Sequence, residues 1–364
     1  MIEPWISPVR GAAAVTSQPV RTRTDVCAEP LCTAYDTALL DLDGVVYIGG
    51  VAVEHAAGAL SGAGERGMRL AYVTNNASRP AAVVAGQLTA MGVPAEPADV
   101  ITSAQAVARL VAEEVPPGAR VLAVGGEGLY GPLREHGLLV VESADDDPAA
   151  VVQGHGGPAM PWGRLMEAAF AVQRGVPWFA SNADLTIPTP RGIAPGNGAA
   201  LEVVRLATGA EPRVAGKPLP PMHRETIIRT GARRPLVVGD RLDTDIEGAY
   251  NGGVDALLVL TGVTGAAGLL AAEPRHRPAY VAADLRGLAA AQPEVAVAGG
   301  DGEGVVARCG GWSASAGGTE PGLRLDGEGQ PLDGLRALCA AAWTYAGEGS
   351  CGLDPGKALA RLGL

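Results

Sequence analysis

A short apolar run, Ala38-Leu39-Leu40, ends abruptly in Asp41-Leu42-Asp43-Gly44, and the same device recurs along the chain. Arg69-Leu70-Ala71-Tyr72-Val73 runs into Thr74-Asn75-Asn76, and Leu236-Val237-Val238 runs into Gly239-Asp240. Helical patterns lie between these strands: Val53 to Arg66, closed by Gly67; Pro80 to Gly92, with proline suited to the first turn; Met222 to Thr230; and Ile246 to Asn251. Another buried strand is expected at Ala256 to Leu260. Strands alternating with helices predict an α/β fold, a parallel sheet with helical crossovers. Ligands of such sheets bind beyond the carboxyl ends of the strands, where these polar residues fall.

The two blocks of alternation are separated by a stretch with strands of its own, at Arg120–Val124, Leu138–Val141, Val151-Val152 and Val176–Ala180. It reads as an inserted domain over 101–213, dividing a core made of 37–100 and 214–292. The first 36 residues mix Pro, Arg, Thr and Ser without an apolar segment and read as a flexible leader, not a secretory signal. Residues 293–364 change character. They contain short Val/Ala stretches around Gly299–Gly304, a Gly/Ser-rich turn at Gly310–Gly318 and an amphipathic helix over Leu332 to Tyr345. Such a short stretch is small for an independent core and is expected to pack on the main body or on a partner.

Composition removes several function classes. A net charge of −11 without a basic cluster disfavours nucleic acid, whose phosphates need clustered Lys and Arg. No apolar run is long enough for a membrane helix. Five cysteines without a CxxC pattern read as reduced thiols of a cytoplasmic protein, not as a zinc site.

The motif residues make a coherent chemistry. Asp41 and Asp43, two apart at a strand end, present two carboxylates to one side. Neighbouring carboxylates titrate apart, so one can serve as a nucleophile while the other holds a proton. Asp41 would attack phosphorus, and Asp43 would protonate the leaving alkoxide and then deprotonate water. Lys217, in Gly216-Lys217-Pro218, supplies a fixed positive charge. The Thr74 hydroxyl and backbone N–H groups near Leu42, Asp43 and Asn75 can cradle phosphate oxygens. Asp240 with Asp41 forms an oxygen-only cation site suited to Mg2+. Asp245 is expected behind it, holding Lys217 or a bound water. Each residue alone has a commoner explanation as a turn, cap or surface residue; the conjunction at four expected strand ends carries the reading.

These residues resemble the four motifs of the haloacid dehalogenase superfamily. In its 4-nitrophenylphosphatase-like branch they read D-L-D-G-V, T-N-N-x-S-R, G-K-P and G-D-x-x-x-T-D. The resemblance covers about Ala38 to Leu288, with Ala77 standing where the branch often has Ser. It implies a Rossmann-like, doubly wound core, a class II α/β cap inserted between the second and third motifs, and a Mg2+-dependent phosphatase. Asp41 is then nucleophile and metal ligand. Asp43 is acid/base and offers a backbone carbonyl to the metal, and Asp240 binds magnesium. Thr74, Asn75 and Lys217 bind phosphate, with Leu42, Gly44 and Asn76 in the same phosphate-binding set. The partner is a small phosphate ester, and resemblance to actinobacterial members points to glycerol 3-phosphate. Phosphoglycolate, pyridoxal phosphate and nucleotides are alternatives, as is a non-catalytic phosphate-ester sensor acting through the C-terminal region. Caps of this branch often mediate dimers, which leaves a homodimer open.

Gly126-Glu127-Gly128-Leu129-Tyr130-Gly131 matches a dinucleotide-binding G-x-G-x-x-G, with Glu142 where a ribose-binding acid would fall. Pro132 follows at once and no second nucleotide-binding half exists, so a tight strand-to-helix turn is the expectation. Asn182-Ala183-Asp184 through Arg191 to Gly198 resembles the family's cap segment over the active site. Arg191 is the candidate contact to a second polar group of the substrate. Arg308-Cys309-Gly310-Gly311-Trp312-Ser313 partly echoes an acyl-CoA pyrophosphate loop. The C-terminal region is expected to be a small α+β, acetyltransferase-like module that does not transfer acetyl groups.

Overall fold

The computed structural model describes residues 20–189, 191–299, 304–317 and 322–363. Six parallel strands form the central sheet, in the spatial order Tyr280–Ala282, Asp255–Val259, Pro235–Gly239, Thr37–Leu40, Arg69–Thr74, Val100–Thr102. From Thr37–Leu40 the chain steps outward to Val100–Thr102. It then resumes at Pro235–Gly239 on the other side and steps outward to Tyr280–Ala282. The strand order therefore reverses between Thr37–Leu40 and Pro235–Gly239, opening the crevice in which doubly wound sheets bind ligands. Thr37–Leu40 is buried along its whole length. Ala38 and Leu40 enter one core and Leu39 the core on the opposite face, which is why the strand reads as an unbroken apolar run.

A second parallel sheet has the order Arg213–Val214, Trp178–Ala180, Ala150–Gln153, Arg120–Val124, Leu139–Val141. Helices Trp162–Gln173 and Asn197–Thr208 cover one of its faces. Helix Ser103–Ala112 packs under the other and also against the core helix Pro220–Thr230. Thr102 and Gln105 close its first turn reciprocally, a capping box at the crossing between the two sheets.

The expected boundaries cut two strands. Val100–Thr102 pairs in parallel with Tyr72–Thr74 and belongs to the core sheet, whereas Arg213–Val214 pairs with Phe179–Ala180 in the second sheet. Strands of two or three residues carry no period, so pairing alone reveals them. Lys217 accordingly follows a strand of the second sheet, not a core strand as expected. Residues 20–36 also depart from the flexible leader read there: Leu31 and Cys32 are buried in the core, Asp25 N–H donates to Ala279 O, and Arg21 pairs with Asp255. Residues 1–19 of that leader lie outside the described residues.

The C-terminal region forms a four-stranded antiparallel sheet, Ala296–Gly299, Val305–Cys309, Trp312–Ala316 and Leu323–Gly327, under helix Pro331–Ala346. The expected Gly/Ser-rich turn is mostly the strand Trp312–Ala316, in which Trp312, Ala314 and Ala316 are buried and the serines alternate outward. Gly318 and residues 300–303 lie outside the described residues. Gly310-Gly311 makes a tight hairpin, closed by the pair Cys309–Trp312. It joins two antiparallel strands, so it does not present the helix N-terminus an acyl-CoA pyrophosphate would need.

Candidate active site

Asp41 stands one residue beyond the central strand, and Asp240 one residue beyond its neighbour. Asp41 N–H donates to Val238 O at 2.9 Å, which holds the two strand ends side by side. Lys217 reaches into the crevice on the loop before helix Pro220–Thr230. Its ammonium donates to Asp41 Oδ1, to Asp245 Oδ1 at 2.8 Å and to Val73 O at 3.1 Å. Asp245 sits on a wide turn over Leu242–Ile246, where Asp245 N–H and Ile246 N–H both donate to Arg241 O at 3.2 Å. Its second oxygen accepts from Arg241 N–H at 3.2 Å. Both Asp245 carboxylate oxygens are thus engaged, one by Lys217 and one by the turn.

Asp240 is fully buried. Its Oδ2 accepts from Val263 N–H at 2.7 Å, and Thr264 N–H donates to its carbonyl at 3.1 Å. Oδ1 is buried without a hydrogen-bond partner. Room for this carboxylate depends on Gly44 and Gly262, since a Cβ at either would collide with it. Gly44 also needs its positive φ of 89°, and its carbonyl accepts from the Thr261 hydroxyl at 2.6 Å.

Asn75 spends its side chain on Lys217 and on the cap segment. Its Oδ1 accepts from Lys217 N–H at 2.8 Å and its Nδ2 donates to Lys217 O at 3.2 Å, so the amide clamps the lysine backbone from both sides. Nδ2 also donates to Asp184 Oδ1 at 3.2 Å, and Asn75 O accepts from Asn182 Nδ2 at 2.7 Å and from the Ser103 hydroxyl. The Asn75 side chain is thereby occupied by protein partners. Asn76 is likewise a turn former, its Oδ1 accepting from Ser78 N–H at 2.9 Å and Ser78 Oγ at 2.7 Å. Thr74 Oγ1 accepts from Asn76 N–H at 3.1 Å, and its hydroxyl hydrogen remains to be given. The Leu42 side chain lies in the core and only its backbone can face a ligand.

Asp43 is exposed at the crevice, with the Tyr47 hydroxyl 3.5 Å from its Oδ2. Although Asp43 is open to solvent on one side, desolvation by the surrounding crevice wall raises its carboxyl above the usual range, with the Arg79 charge, Tyr47 and Lys217 opposing. Burial pushes Asp41 up to about 8; Lys217 pulls it down, while Asp245 and Asp240 push it further up. Asp240 is raised to about 6 by burial and by Asp245. Burial alone would lower the Lys217 ammonium, but Asp245 and Asp41 reverse the sign and hold it charged. Asp41, Asp240 and Asp245 offer carboxylate oxygens within 4.8 Å of one another, against one lysine. An excess of buried negative charge with one orphaned oxygen is the donor set of a hard divalent cation, and the residues present fit magnesium.

Arg191 is not brought to this cluster. It lies exposed at the tip of the hairpin Thr186–Thr189/Gly192–Pro195, and its backbone N–H donates to Thr189 Oγ1 at 3.3 Å. Two groups near the centre were missed. Asp184, raised by burial, hydrogen-bonds Asn75, and Arg79 faces Asp43. Asn182-Ala183-Asp184 was visible as a cap motif, but nothing in its spacing showed which core residue it would meet. The G-x-G-x-x-G glycines also find their reason here. A Cβ on Gly126 would sit 2.6 Å from Ser78 O, Gly128 backs onto Ala77 and Arg79 carbonyls, and Gly128 N–H donates to Ser78 O at 3.3 Å. They let the cap backbone lie against the Asn76–Arg79 turn.

Models of the haloacid dehalogenase-like hydrolases match residues 38–139 and 214–288, and a GCN5-related N-acetyltransferase-like domain model matches 309–364. The D-glycerol 3-phosphate phosphatase of Mycobacterium tuberculosis is 43% identical over 316 residues, 85% of this chain and 86% of that protein. The chain belongs to the haloacid dehalogenase-like hydrolases. Within this family, a crystal structure of the mycobacterial glycerol phosphate phosphatase with magnesium superposes with a TM-score of 0.76 at 40% identity, covering 86% of this chain and 92% of that one. A 4-nitrophenylphosphatase from Thermotoga maritima superposes with a TM-score of 0.65 at 27% identity, covering 71% and 98%. The acid sugar phosphatase of Staphylococcus saprophyticus is 36% identical over 232 residues, 63% of this chain and 88% of that protein. The doubly wound sheet and the family read from the motifs are thus the ones found.

Proposed function

We propose that this hydrolase is a magnesium-dependent phosphatase that converts D-glycerol 3-phosphate to glycerol and phosphate through an aspartyl-phosphate on Asp41. The observation that supports it most is the convergence of Asp41, Asp240, Asp245 and Lys217 at the strand-order reversal, in a chain 43% identical to a phosphatase of that substrate. A magnesium ion held by Asp41 and Asp240, with the Asp43 carbonyl, would supply the charge that draws substrate phosphate to the carboxylates. Lys217 adds a fixed charge, and the Thr74 hydroxyl and the backbone N–H groups after Asp41 orient the phosphate oxygens. Asp41 Oδ forms the new O–P bond as the ester O–P bond breaks. Asp43 gives its proton to the departing glycerol oxygen. Asp43 then takes a proton from water, whose oxygen attacks phosphorus, releasing phosphate and restoring Asp41. The Asp43 carboxyl, raised above the usual range, suits the first of these tasks.

The unit containing the five-stranded sheet acts as the cap, and Asp184 and Asn182 are its reach into the site. The 43% identity to a phosphatase of D-glycerol 3-phosphate favours that substrate over phosphoglycolate, pyridoxal phosphate and nucleotides, and the presence of the nucleophile, acid, lysine and metal carboxylates together speaks against the sensor reading. Among the described residues no helix is long and apolar enough to cross a membrane. The five cysteines are free thiols, which supports a reducing, cytoplasmic setting.

Phosphate release from a panel of metabolite phosphates, with magnesium and with EDTA, tests the proposal. D-glycerol 3-phosphate should have the highest kcat/KM, and its hydrolysis should stop in EDTA. A better substrate with another alcohol would replace the substrate; release indifferent to EDTA would overturn the mechanism.

A further inference from the structure

The C-terminal module makes buried contacts with the helix that directly follows the loop shaping the Asp240 pocket. The loop 260–265 supplies Val263 N–H and Thr264 N–H to Asp240, the Thr261 hydroxyl to Gly44, and Gly262, whose lack of a side chain gives the carboxylate room. Helix Ala266–Leu270 follows without a break, its Leu269 N–H bonded to Gly265 O. One turn of helix cannot hold itself in place, so its position depends on what packs against it.

Helix Pro331–Ala346 of the C-terminal module does this. Trp343, fully buried, donates its indole N–H to Leu269 O at 3.1 Å, a second bond to a carbonyl that also accepts from Ala272 N–H at 3.2 Å, so the tryptophan ties the end of this helix to the module. Leu269 and Leu270 share one core with Trp343, Leu335, Leu338 and, from the strand turn beside Asp245, Ile246. Arg277 fixes the far side. Its guanidinium lies 5.8 Å from the Trp343 ring centroid and donates to Gly347 O at 2.9 Å and Gly349 O at 2.7 Å. Trp343 is therefore held on one side by Arg277 while it holds Leu269 on the other. From Trp343 the connection to Asp240 runs through one hydrogen bond, one helical turn and the Val263 amide.

We infer that the C-terminal module is a positioning element of the metal site, with Trp343 as the positioning residue that, through its contact with helix Ala266–Leu270 at Leu269 O, sets the loop holding Asp240. It rests on the reading of Asp240 as a metal ligand. The module's work in this phosphatase is then to aim a carboxylate, which requires no acyl-CoA. Such a role also explains why the module shares an apolar core with the catalytic sheet and is not tethered as a separate body.

The test is manganese binding to the metal-free full-length protein, followed by the loss of the free-ion EPR signal, with no substrate present. With Leu325→Ala as the control for lost volume, Trp343→Phe keeps an aromatic ring beside Arg277 and removes the donor together with part of the ring volume. It should weaken manganese binding about ten-fold, as loss of groups that orient metal ligands does. KM for substrate at saturating metal should stay unchanged. Leu325→Ala, which thins the module's core away from Leu269, should lower the melting temperature and leave manganese affinity as in wild type. Wild-type affinity in Trp343→Phe, or an equal loss in Leu325→Ala, would overturn the inference and reduce the module to bulk stabilisation. Asp240→Asn separates the two readings: it should abolish high-affinity manganese binding. If it did not, the assignment of the metal site would fall first, and with it the inference.

Discussion

Two regions of this molecule bury charge, and they do so in opposite ways. At the catalytic end of the main sheet, the Asp41, Asp240 and Asp245 carboxylates crowd around the Lys217 ammonium, and Asp240 Oδ1 has no partner at all. Where the C-terminal module meets the sheet, the buried cations Arg277 and Arg336 are met largely by neutral oxygens. Arg277 donates to the carbonyls of Ala272, Arg21, Gly347 and Gly349, and Arg336 to Val281 O and Gln292 Oε1, with Asp333 alongside. The second region, Arg336 Nε apart, is satisfied by protein oxygens and serves as a joint. The first is left short of positive charge and becomes complete only with a cation and a phosphate ester. Incomplete satisfaction of buried polar groups costs stability and marks the place where chemistry is done.

The largest effect expected on this contrast is at the nucleophile. Asp41→Asn should reduce phosphate release by on the order of 10⁴-fold or more while leaving the circular dichroism spectrum intact. Substantial remaining turnover would mean that another group attacks phosphorus. Next comes the lysine. Lys217→Met removes the ammonium that pairs with both Asp41 and Asp245 and should lower the unfolding free energy of the metal-free protein by roughly 3–5 kcal/mol in urea titrations. Magnesium should restore part of that loss, because it replaces the missing charge.

The joint should respond differently. Arg277→Ala leaves carbonyls unpartnered and a void over Trp343, for a loss of about 2–4 kcal/mol. Magnesium should recover no more stability in this variant than in wild type. A large, specific magnesium rescue of Arg277→Ala would erase the distinction between the two regions.

The charge surplus also makes a prediction about pH. In the metal-free protein the Asp240 and Asp41 carboxyls rise from 3.8 to about 6 and about 8, so the folded state holds protons there that the unfolded chain has released. Their contribution is fully present below 3.8 and is lost as pH rises through about 6 and then about 8. The urea midpoint in EDTA should fall across that window, and less so in Asp41→Asn. Magnesium, which prefers the ionised carboxylates, should bind more tightly as pH rises through the same window. A midpoint rising with pH in EDTA would contradict the charge surplus.

The motif residues at strand ends, the parallel sheet and the insertion were legible because each rests on local pattern. Ala38–Leu40 and Leu236–Val238 are apolar throughout since both faces of the sheet are covered, and Asp41 and Asp240 follow them directly. The edge strands Val100–Thr102 and Tyr280–Ala282 escaped, being too short to show a period. Trp312–Ala316 did show one, but Gly and Ser around it masked the alternation.

By itself the sequence determined which acids, which lysine and which family of fold this protein has, since apolar periodicity and short motifs are properties of neighbouring residues. Only the tertiary structure decided what those residues do to one another. It turned Asn75 into the clamp on Lys217 and placed Asp245 behind the ammonium. It left Arg191 on an exposed hairpin and brought the Leu269 carbonyl under Trp343. Those pairings join residues tens to hundreds of positions apart, and their geometry comes from how helices and sheets pack, which no local spacing encodes.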